Sequence, residues 1–303
     1  MESLLVSLLN LLGLALLVRL TLPARYALLN PYAAAMDTLL ARLLGFLRGA
    51  LPLPPRALCL AVLALALSAQ AALAVRHGAP TVAVSAFALF AYPAQGFLGW
   101  LGVAALRFFG FYVSVLAAAF LLRVWHLGRP LPGYTGDLMC LVGRPLSPLP
   151  LWMHAVGTLG TLFAFVALAE GFASETVWPM AQLAETQALM ANMGLRNIFD
   201  LSALTPAARL LFLVGSTLAG VAAQAQNVML MLFLARLLLA LLRARPTLFF
   251  IDDAIHLLTG PIPAFRLGPL NLAPLAAYFL FGVVSSLFTV GLLLLARVLS
   301  HVV

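Results

Sequence analysis

The chain contains six apolar stretches, each about as long as a helix that crosses a membrane. They lie at roughly 3–18, 57–75, within 81–122, 150–169, 209–235 and 273–296. A spanning helix needs about 20 mostly apolar residues. Charged residues make up only 9% of the chain and the mean hydropathy is +1.10, whereas a soluble domain carries about 25% charged residues. Because the apolar runs are continuous rather than alternating, they exclude a membrane β-barrel. The sequence predicts an all-α, polytopic membrane protein with about six transmembrane helices.

The stretch 81–122 is long enough to hold either one or two spans. Tyr92, Pro93 and Gly96 interrupt it. We therefore expect a short re-entrant or interfacial helix followed by one span at about 98–122. Arg107 would then lie toward one end of that span, where its long side chain can reach the interface.

The distribution of arginines predicts the orientation of the chain. All 17 basic residues are arginine, and the formal net charge is +8. With six spans, twelve arginines fall in the segments 19–56, 123–149 and 236–272, and four fall on the opposite side. The positive-inside rule places these three segments in the cytoplasm and both termini on the external, periplasmic side. We expect a multi-pass protein of the bacterial inner membrane whose arginines meet lipid headgroups rather than nucleic acid.

The three basic segments share one pattern. Each begins with a proline, and an aspartate follows five to seven residues later, as in Pro31 and Asp37, Pro132 and Asp137, and Pro246 and Asp253. A proline favours a helix start, and an aspartate in the first turn would meet the positive end of the helix dipole. We expect each segment to form a short amphipathic helix in the membrane interface. The fold would then consist of repeated helical hairpins joined by these helices.

The repeats divide the chain into four parts. Residues 1–80 form repeat 1 with two spans, and residues 81–172 form a degenerate repeat 2 with two spans and the short re-entrant or interfacial helix. Residues 173–207 form an external loop, and residues 208–303 form repeat 3 with two spans. The loop carries an apolar stripe, so we expect it to lie on the membrane or pack against the protein.

The third repeat resembles the YggT family (YlmG-like) of integral membrane proteins. The resemblance lies in LTGPIPAFRLGPLNLAPL, in which the matching residues are Thr259, Pro261, Pro263, Arg266, Asn271 and Pro274. Repeat 1 supplies the family signature Asn30, Pro31 and Tyr32, followed by Asp37 and Arg48. Repeat 2 keeps only Asp137, Arg144 and Pro145, and repeat 3 adds Asp253. The resemblance implies about three tandem YggT-like repeats, in which these residues have structural roles.

The resemblance also implies a function. Similar proteins are linked to the assembly of membrane complexes, so we expect a non-enzymatic protein that scaffolds, assembles or stabilises a membrane protein complex. The alternative is a channel or transport protein linked to osmotic or ion homeostasis. The expected partners are membrane lipids and other membrane protein subunits, or further copies of this chain in a homo-oligomer.

The residue patterns point to no catalytic, cofactor or metal site. No HExxH, GxSxG or Walker pattern occurs in the chain. His154 is the only histidine within a predicted span, and a haem in a bundle would need a second histidine across from it. Asp252 and Asp253 are adjacent, and adjacent helical residues point about 100° apart. We therefore expect a role at a helix start for this acid pair.

Amide side chains lie within the predicted spans, where polar residues are costly. Four of them, Gln70 in span 2 and Gln224, Gln226 and Asn227 in span 5, are candidates for a common role. Two interpretations are open. The amides hold helices together by hydrogen bonds, or they line a polar path through the membrane.

Overall fold

The structure is a computed structural model that describes residues 2–21, 29–50, 53–77, 81–85, 88–93, 96–144, 146–177, 204–241, 245–262, 266–267 and 270–302. Six of its helices are long and apolar enough to cross a membrane. This confirms the all-α class and the count of about six spans. Only one of the six lies in the stretch 81–122, at Gly96–Trp125.

The described elements are long helices with short helices and short strands between them. In order they are α1 (Glu2–Thr21), α2 (Pro31–Ala50), α3 (Pro55–His77), β1 (Thr81–Ser85), β2 (Ala88–Ala91), α4 (Gly96–Trp125), α5 (Gly133–Val142), α6 (Leu151–Phe172), β3 (Glu175–Val177), α7 (Pro206–Leu241), α8 (Arg245–Thr259), β4 (Arg266–Leu267), β5 (Leu270–Asn271) and α9 (Ala273–Val302). The long helices α1, α3, α4, α6, α7 and α9 are the candidate spans. The short-helix end is the end of the bundle that carries α2, α5 and α8, and the sheet end carries β1, β2 and β3.

The long hairpins stand in a row with the second in the middle. Helix α1 packs against α3, α3 packs against α4, and α4 packs against α6. Helix α7 packs against both α4 and α6, and most extensively against α9. Leu162, Phe165 and Leu213 are almost completely buried in the core that α4, α6 and α7 share.

Prolines set the starts of the helices, but the aspartates do not lie where the sequence predicted. Pro31 is the first residue of α2. The first turns of α2, α5 and α8 contain no acidic residue, so the predicted dipole contact is wrong. Each helix begins at or next to its proline, and Asp37, Asp137 and Asp253 therefore come after the first turn. Two of these carboxylates act on neighbouring elements instead.

Residues 81–85 and 88–91 form two strands, so the short re-entrant or interfacial helix predicted at this place is wrong. Strands β1 and β2 are antiparallel, and β3 adds to the free edge of β2. Val82 and Phe90 are cross-strand partners and are 1% and 0% exposed in the bundle core. Alternating β-branched residues fit a pleated surface better than a helix. The third strand comes from the predicted external loop, far along the chain, so local sequence gives no sign of it.

Side-chain contacts tie the hairpin into the sheet end of the bundle. Arg107 Nε donates a hydrogen bond to the carbonyl oxygen of Thr81 at 2.7 Å. The hydroxyl of Tyr92 donates to the carbonyl oxygen of Ala169 at 2.8 Å. Arg107 thus finds a backbone partner in β1. Pro145, Pro263 and residues 178–203 of the predicted external loop lie outside the described residues.

Candidate functional site at the junction of the short helices

The carboxylate of Asp253 in α8 caps the first turn of α5. Thr135 donates to Asp253 Oδ2 from its backbone N–H at 2.7 Å and from its hydroxyl at 2.6 Å. The backbone N–H of Tyr134 donates to Oδ1 at 3.2 Å. These are amides that a helix start leaves without an intrahelical acceptor. The N-cap residue of α5 is Pro132, which has no side-chain group to accept them. Helix α8 therefore supplies the cap that α5 itself lacks.

Repeat 1 joins the same place through Asn30 and Tyr32. Asn30 Oδ1 accepts hydrogen bonds from the backbone N–H groups of Tyr32 and Ala33 at 3.0 and 3.1 Å. This is the usual cap for a helix start. Asn30 Nδ2 donates to the carbonyl oxygen of Tyr134 at 2.7 Å, and the Tyr32 hydroxyl donates to Asp253 Oδ2 at 3.2 Å. We call Asn30, Tyr32, Tyr134, Thr135 and Asp253 the short-helix junction, which joins α2, α5 and α8.

The electrostatics of the junction favour an ionised carboxylate beside a protonated phenol. Burial by itself would raise the pKa of Asp253, but hydrogen bonds from Thr135, Tyr32 and the amide of Tyr134 outweigh it and hold this pKa below its ordinary value. Burial raises the pKa of Tyr32. The hydrogen bond from Thr135 lowers this pKa, whereas the negative charge of Asp253 raises it. The Tyr32 hydroxyl therefore keeps its proton and donates a hydrogen bond to the carboxylate.

Aromatic side chains surround this polar centre. The ring centroids of Tyr32 and Phe250 are 5.4 Å apart, and those of Tyr134 and Phe249 are 6.2 Å apart. Phe249, Phe250 and Tyr134 are 54%, 47% and 42% exposed. We call these three side chains the aromatic rim. They lie on short helices whose positions the junction fixes.

The C-terminal end of α8 is held by residues at the end of α4. Trp125 Nε1 donates to the carbonyl oxygen of Leu258 at 3.0 Å, and His126 Nε2 lies 2.7 Å from the carbonyl oxygen of Leu257. The last carbonyls of a helix have no intrahelical donor. Helix α8 is therefore held near its middle by the contact of Asp253 with α5 and at its C-terminal end by Trp125 and His126.

In repeats 1 and 3, an arginine near the end of a span pairs with an aspartate of the following short helix. Arg19 Nη1 lies 3.0 Å from Asp37 Oδ1, and Arg236 pairs with Asp252. Asp252, rather than Asp253, therefore makes the ion pair that corresponds to the one of Asp37. The adjacent Asp253 is left to serve the junction.

The remaining motif residues of repeat 3 complete local structure. The hydroxyl of Thr259 donates to the carbonyl oxygen of Ile255 at 2.8 Å within α8. Asn271 Oδ1 accepts from the backbone N–H of Ala273 at 3.1 Å and caps α9. Pro274 is buried in the first turn of α9, and Pro261 is exposed in the turn after α8.

Other motif residues lie apart from the junction. Arg48 is exposed in the last turn of α2, and Asp137 is exposed on α5. Pro31 is exposed beside the junction as the first residue of α2. The carbonyl oxygen of Arg144 accepts a hydrogen bond from the Tyr112 hydroxyl at 3.3 Å. The backbone of Arg266 lies in β4.

The amides predicted in the spans do not come together. Gln70 Nε2 donates to Asn10 Oδ1 at 2.9 Å, and these two side chains are 1% and 8% exposed between α1 and α3. Gln226 packs against Gly282 of α9, whereas Gln224 and Asn227 are exposed on α7. The contacts of Gln70 and Gln226 match the helix-packing interpretation. Asn10 lies within the first predicted span, but nothing in its local sequence indicates that Gln70 is its partner.

Two cavities are further candidate sites. A notch of about 200 Å³ between α7, α8 and α9 includes Arg236, Asp252 and His256 in its lining, and an apolar groove of about 520 Å³ runs between α4 and α6 at the sheet end. In the part of the chain that the structure describes, no group of three or more His, Cys, Asp or Glu residues is placed to hold a metal ion. The short-helix junction remains the most connected polar site.

Comparison with known proteins gives no relative from which a role could be transferred. No family model, curated protein or solved structure matches the chain. The resemblance to the YggT family therefore stays a prediction, and the functional argument depends on the contacts described above.

Proposed function

We propose that this membrane protein is a non-enzymatic scaffold that assembles or stabilises a membrane protein complex. The short-helix junction carries the proposal, because it fixes three short helices with respect to one another and leaves the aromatic rim exposed around a satisfied polar centre. Rigid aromatic side chains are common at the centres of protein interfaces. We infer that the aromatic rim is the surface to which a partner subunit binds.

The long helices offer a second, lipid-facing surface. Phe279, Leu287 and Val298 of α9 are 60%, 68% and 59% exposed. In a bilayer such side chains contact lipid tails or the apolar helices of other subunits. The proposed partners are therefore membrane lipids together with membrane protein subunits or a second copy of the chain.

The alternative function, a channel linked to osmotic or ion homeostasis, needs polar groups in one continuous path. Gln70 is buried against Asn10 in the first hairpin, whereas Gln224 and Asn227 are exposed on α7. The second hairpin also lies between the other two rather than beside an opening. These observations favour the scaffold.

We further infer a YggT-like protein of the bacterial inner membrane, with the short-helix end in the cytoplasm and both termini outside. The arginine distribution supports this orientation. Single cysteines in place of Arg48 and Glu175, in a chain with Cys59→Ala and Cys140→Ala, would test it. We expect an impermeant maleimide to label position 175 in intact cells and position 48 only after the cells are opened. Reversed labelling would contradict the orientation.

The scaffold is tested by gentle extraction from the native membrane and mass measurement of the intact assembly. We expect a defined stoichiometric complex with the wild-type chain and with the double variant Phe97→Ala and Phe172→Ala, a control at two phenylalanines of the sheet end that are 55% and 69% exposed. The double variant Phe249→Ala and Phe250→Ala should bind at least tenfold less partner than the wild type and should have the same melting temperature. A chain that is extracted alone contradicts the scaffold, and ion flux in liposomes would favour the channel.

A further inference from the structure

Two polar atoms on one face of α6 are buried without a protein partner. His154 and Thr158 are both 0% exposed. Among the residues that the structure describes, neither His154 Nε2 nor Thr158 Oγ1 has a hydrogen-bond partner. Buried polar groups in folded proteins are almost always satisfied, by protein or by ordered water. The two atoms therefore indicate a small polar ligand between α4 and α6.

Arg123 in the last turn of α4 determines which nitrogen of His154 carries the proton. Arg123 Nη1 lies 3.0 Å from His154 Nδ1 and 2.8 and 2.9 Å from the carbonyl oxygens of Ser147 and Leu149, so its two hydrogens are shared among three acceptors. A guanidinium group only donates hydrogen bonds, so Nδ1 must accept and the ring proton must lie on Nε2. The ring of Phe120 packs edge-on against the imidazole, with 5.5 Å between centroids. The Nε2–H group is therefore a donor held in a fixed direction.

The spacing of the two residues suits a single bridging molecule. Residues four apart on a helix lie on the same face, one turn apart, so one molecule that makes hydrogen bonds of about 2.8 Å can contact side-chain atoms of both. We propose that one internal water molecule binds between His154 and Thr158, accepting a hydrogen bond from Nε2–H and donating one to Oγ1. Water molecules buried in proteins typically satisfy polar groups of this kind.

The proposed water extends a polar contact that begins in the turn before α6. Arg123 joins the end of α4 to Ser147, Leu149 and His154, and the water carries this contact one helical turn further, to Thr158. Deeper in the bundle, the core is apolar, with Leu162 at 0% exposure on the next turn of α6. The site is therefore closed on that side, and its water is a structural component of the α4–α6 interface.

The first test is nuclear magnetic resonance of the full chain in nanodiscs with ¹⁵N-labelled histidine. We expect a dipolar cross-peak between the Nε2 proton of His154 and water. It should disappear in Thr158→Val and persist in Thr161→Val, a control whose hydroxyl already donates to the carbonyl oxygen of Thr158 at 2.8 Å. A wild-type chain without the cross-peak would overturn the proposal, as would a cross-peak unchanged by Thr158→Val.

The second test uses the sign of a change in melting temperature. If the Thr158 hydroxyl binds water, the isosteric Thr158→Val removes one partner of that water and lowers the melting temperature. If the hydroxyl had no partner at all, the same change would remove an unsatisfied group and raise it. Thr158→Ser keeps the hydroxyl and should retain the water cross-peak. A rise in melting temperature for Thr158→Val contradicts the water site.

Discussion

Asp253 holds the start of α5 through Thr135, which donates both its amide and its hydroxyl hydrogen to one carboxylate oxygen. The adjacent Asp252 points away and pairs with Arg236. Since neighbouring helical residues point about 100° apart, one acid pair makes two separate contacts. One of them joins two repeats, and the other stays within a repeat.

This acid pair provides a matched comparison of stability. Asp253→Asn removes the charge and places an amide N–H₂ group against existing hydrogen-bond donors. We therefore expect the free energy of unfolding to fall by about 1–3 kcal/mol. Asp252→Asn breaks an ion pair whose side chains are 47% and 41% exposed, and such pairs contribute about 0–1 kcal/mol. Unfolding in denaturing detergent, followed by tryptophan fluorescence, measures both. Equal losses would contradict the junction as the stronger contact.

Acid should weaken the junction through the same carboxylate. The pKa of Asp253 is lower in the folded chain than its ordinary value. Its contribution to stability is therefore complete above that ordinary value, near pH 4, and is lost as the pH falls through the lower, folded-state pKa. We expect the melting temperature of the wild type to fall more steeply below about pH 4 than that of Asp253→Asn. Parallel pH profiles for the two proteins would show that Asp253 is not the group responsible.

Gly133 is expected to be essential to the approach of Asp253 to α5. Its φ is +72°, and a Cβ at this position would overlap Asp253 Oδ1. Gly133→Ala should therefore lower the free energy of unfolding by more than about 1 kcal/mol. Gly45→Ala is the control, since Gly45 lies within α2 with open space around it. Alanine at this position should raise the free energy of unfolding by about 0.5–1 kcal/mol. Chemical denaturation of both variants gives the comparison, and a neutral Gly133→Ala would refute the close approach.

The buried pair of Asn10 and Gln70 should behave as one unit. Either Asn10→Leu or Gln70→Leu leaves the other amide buried without its partner, at a cost of about 1–3 kcal/mol. The double variant should cost less than the sum of the two single changes, because contacting residues couple. Gln224→Leu, at an exposed position of α7, should change stability by less than about 0.5 kcal/mol. Additive losses in a double-mutant cycle would argue against a shared hydrogen bond.

The spans and short helices could be predicted because their signals are local. The length of each apolar run and the position of Pro31 or Pro206 fix where a helix forms and begins. Strands β1 and β2 were missed because the sheet is completed by β3, which comes after the whole of α4, α5 and α6. The first-turn role of the aspartates was wrong because the prolines start these helices a turn earlier than the acids require.

The junction could be predicted only in part. Asn30 was singled out as part of a motif, and its capping of α2 is the kind of contact that sequence spacing can suggest. Its second hydrogen bond, to Tyr134, joins two repeats. Thr135 was not singled out, because a threonine in a short helix has no distinguishing pattern. The glycine and proline before it, Gly133 and Pro132, were the available signal of an unusual helix start.

The sequence by itself determined that this chain folds in lipid as long helices joined by short ones. Apolar side chains and backbone groups without water leave the helix as the structure that satisfies every hydrogen bond within a single span, and proline stops that pattern at fixed places. The tertiary structure alone decided that Asn30, Thr135 and Asp253 meet at one junction and that Asp252 pairs elsewhere. Hydrogen bonds act over about 3 Å, so they depend on where whole helices are placed rather than on the residues beside them in the chain.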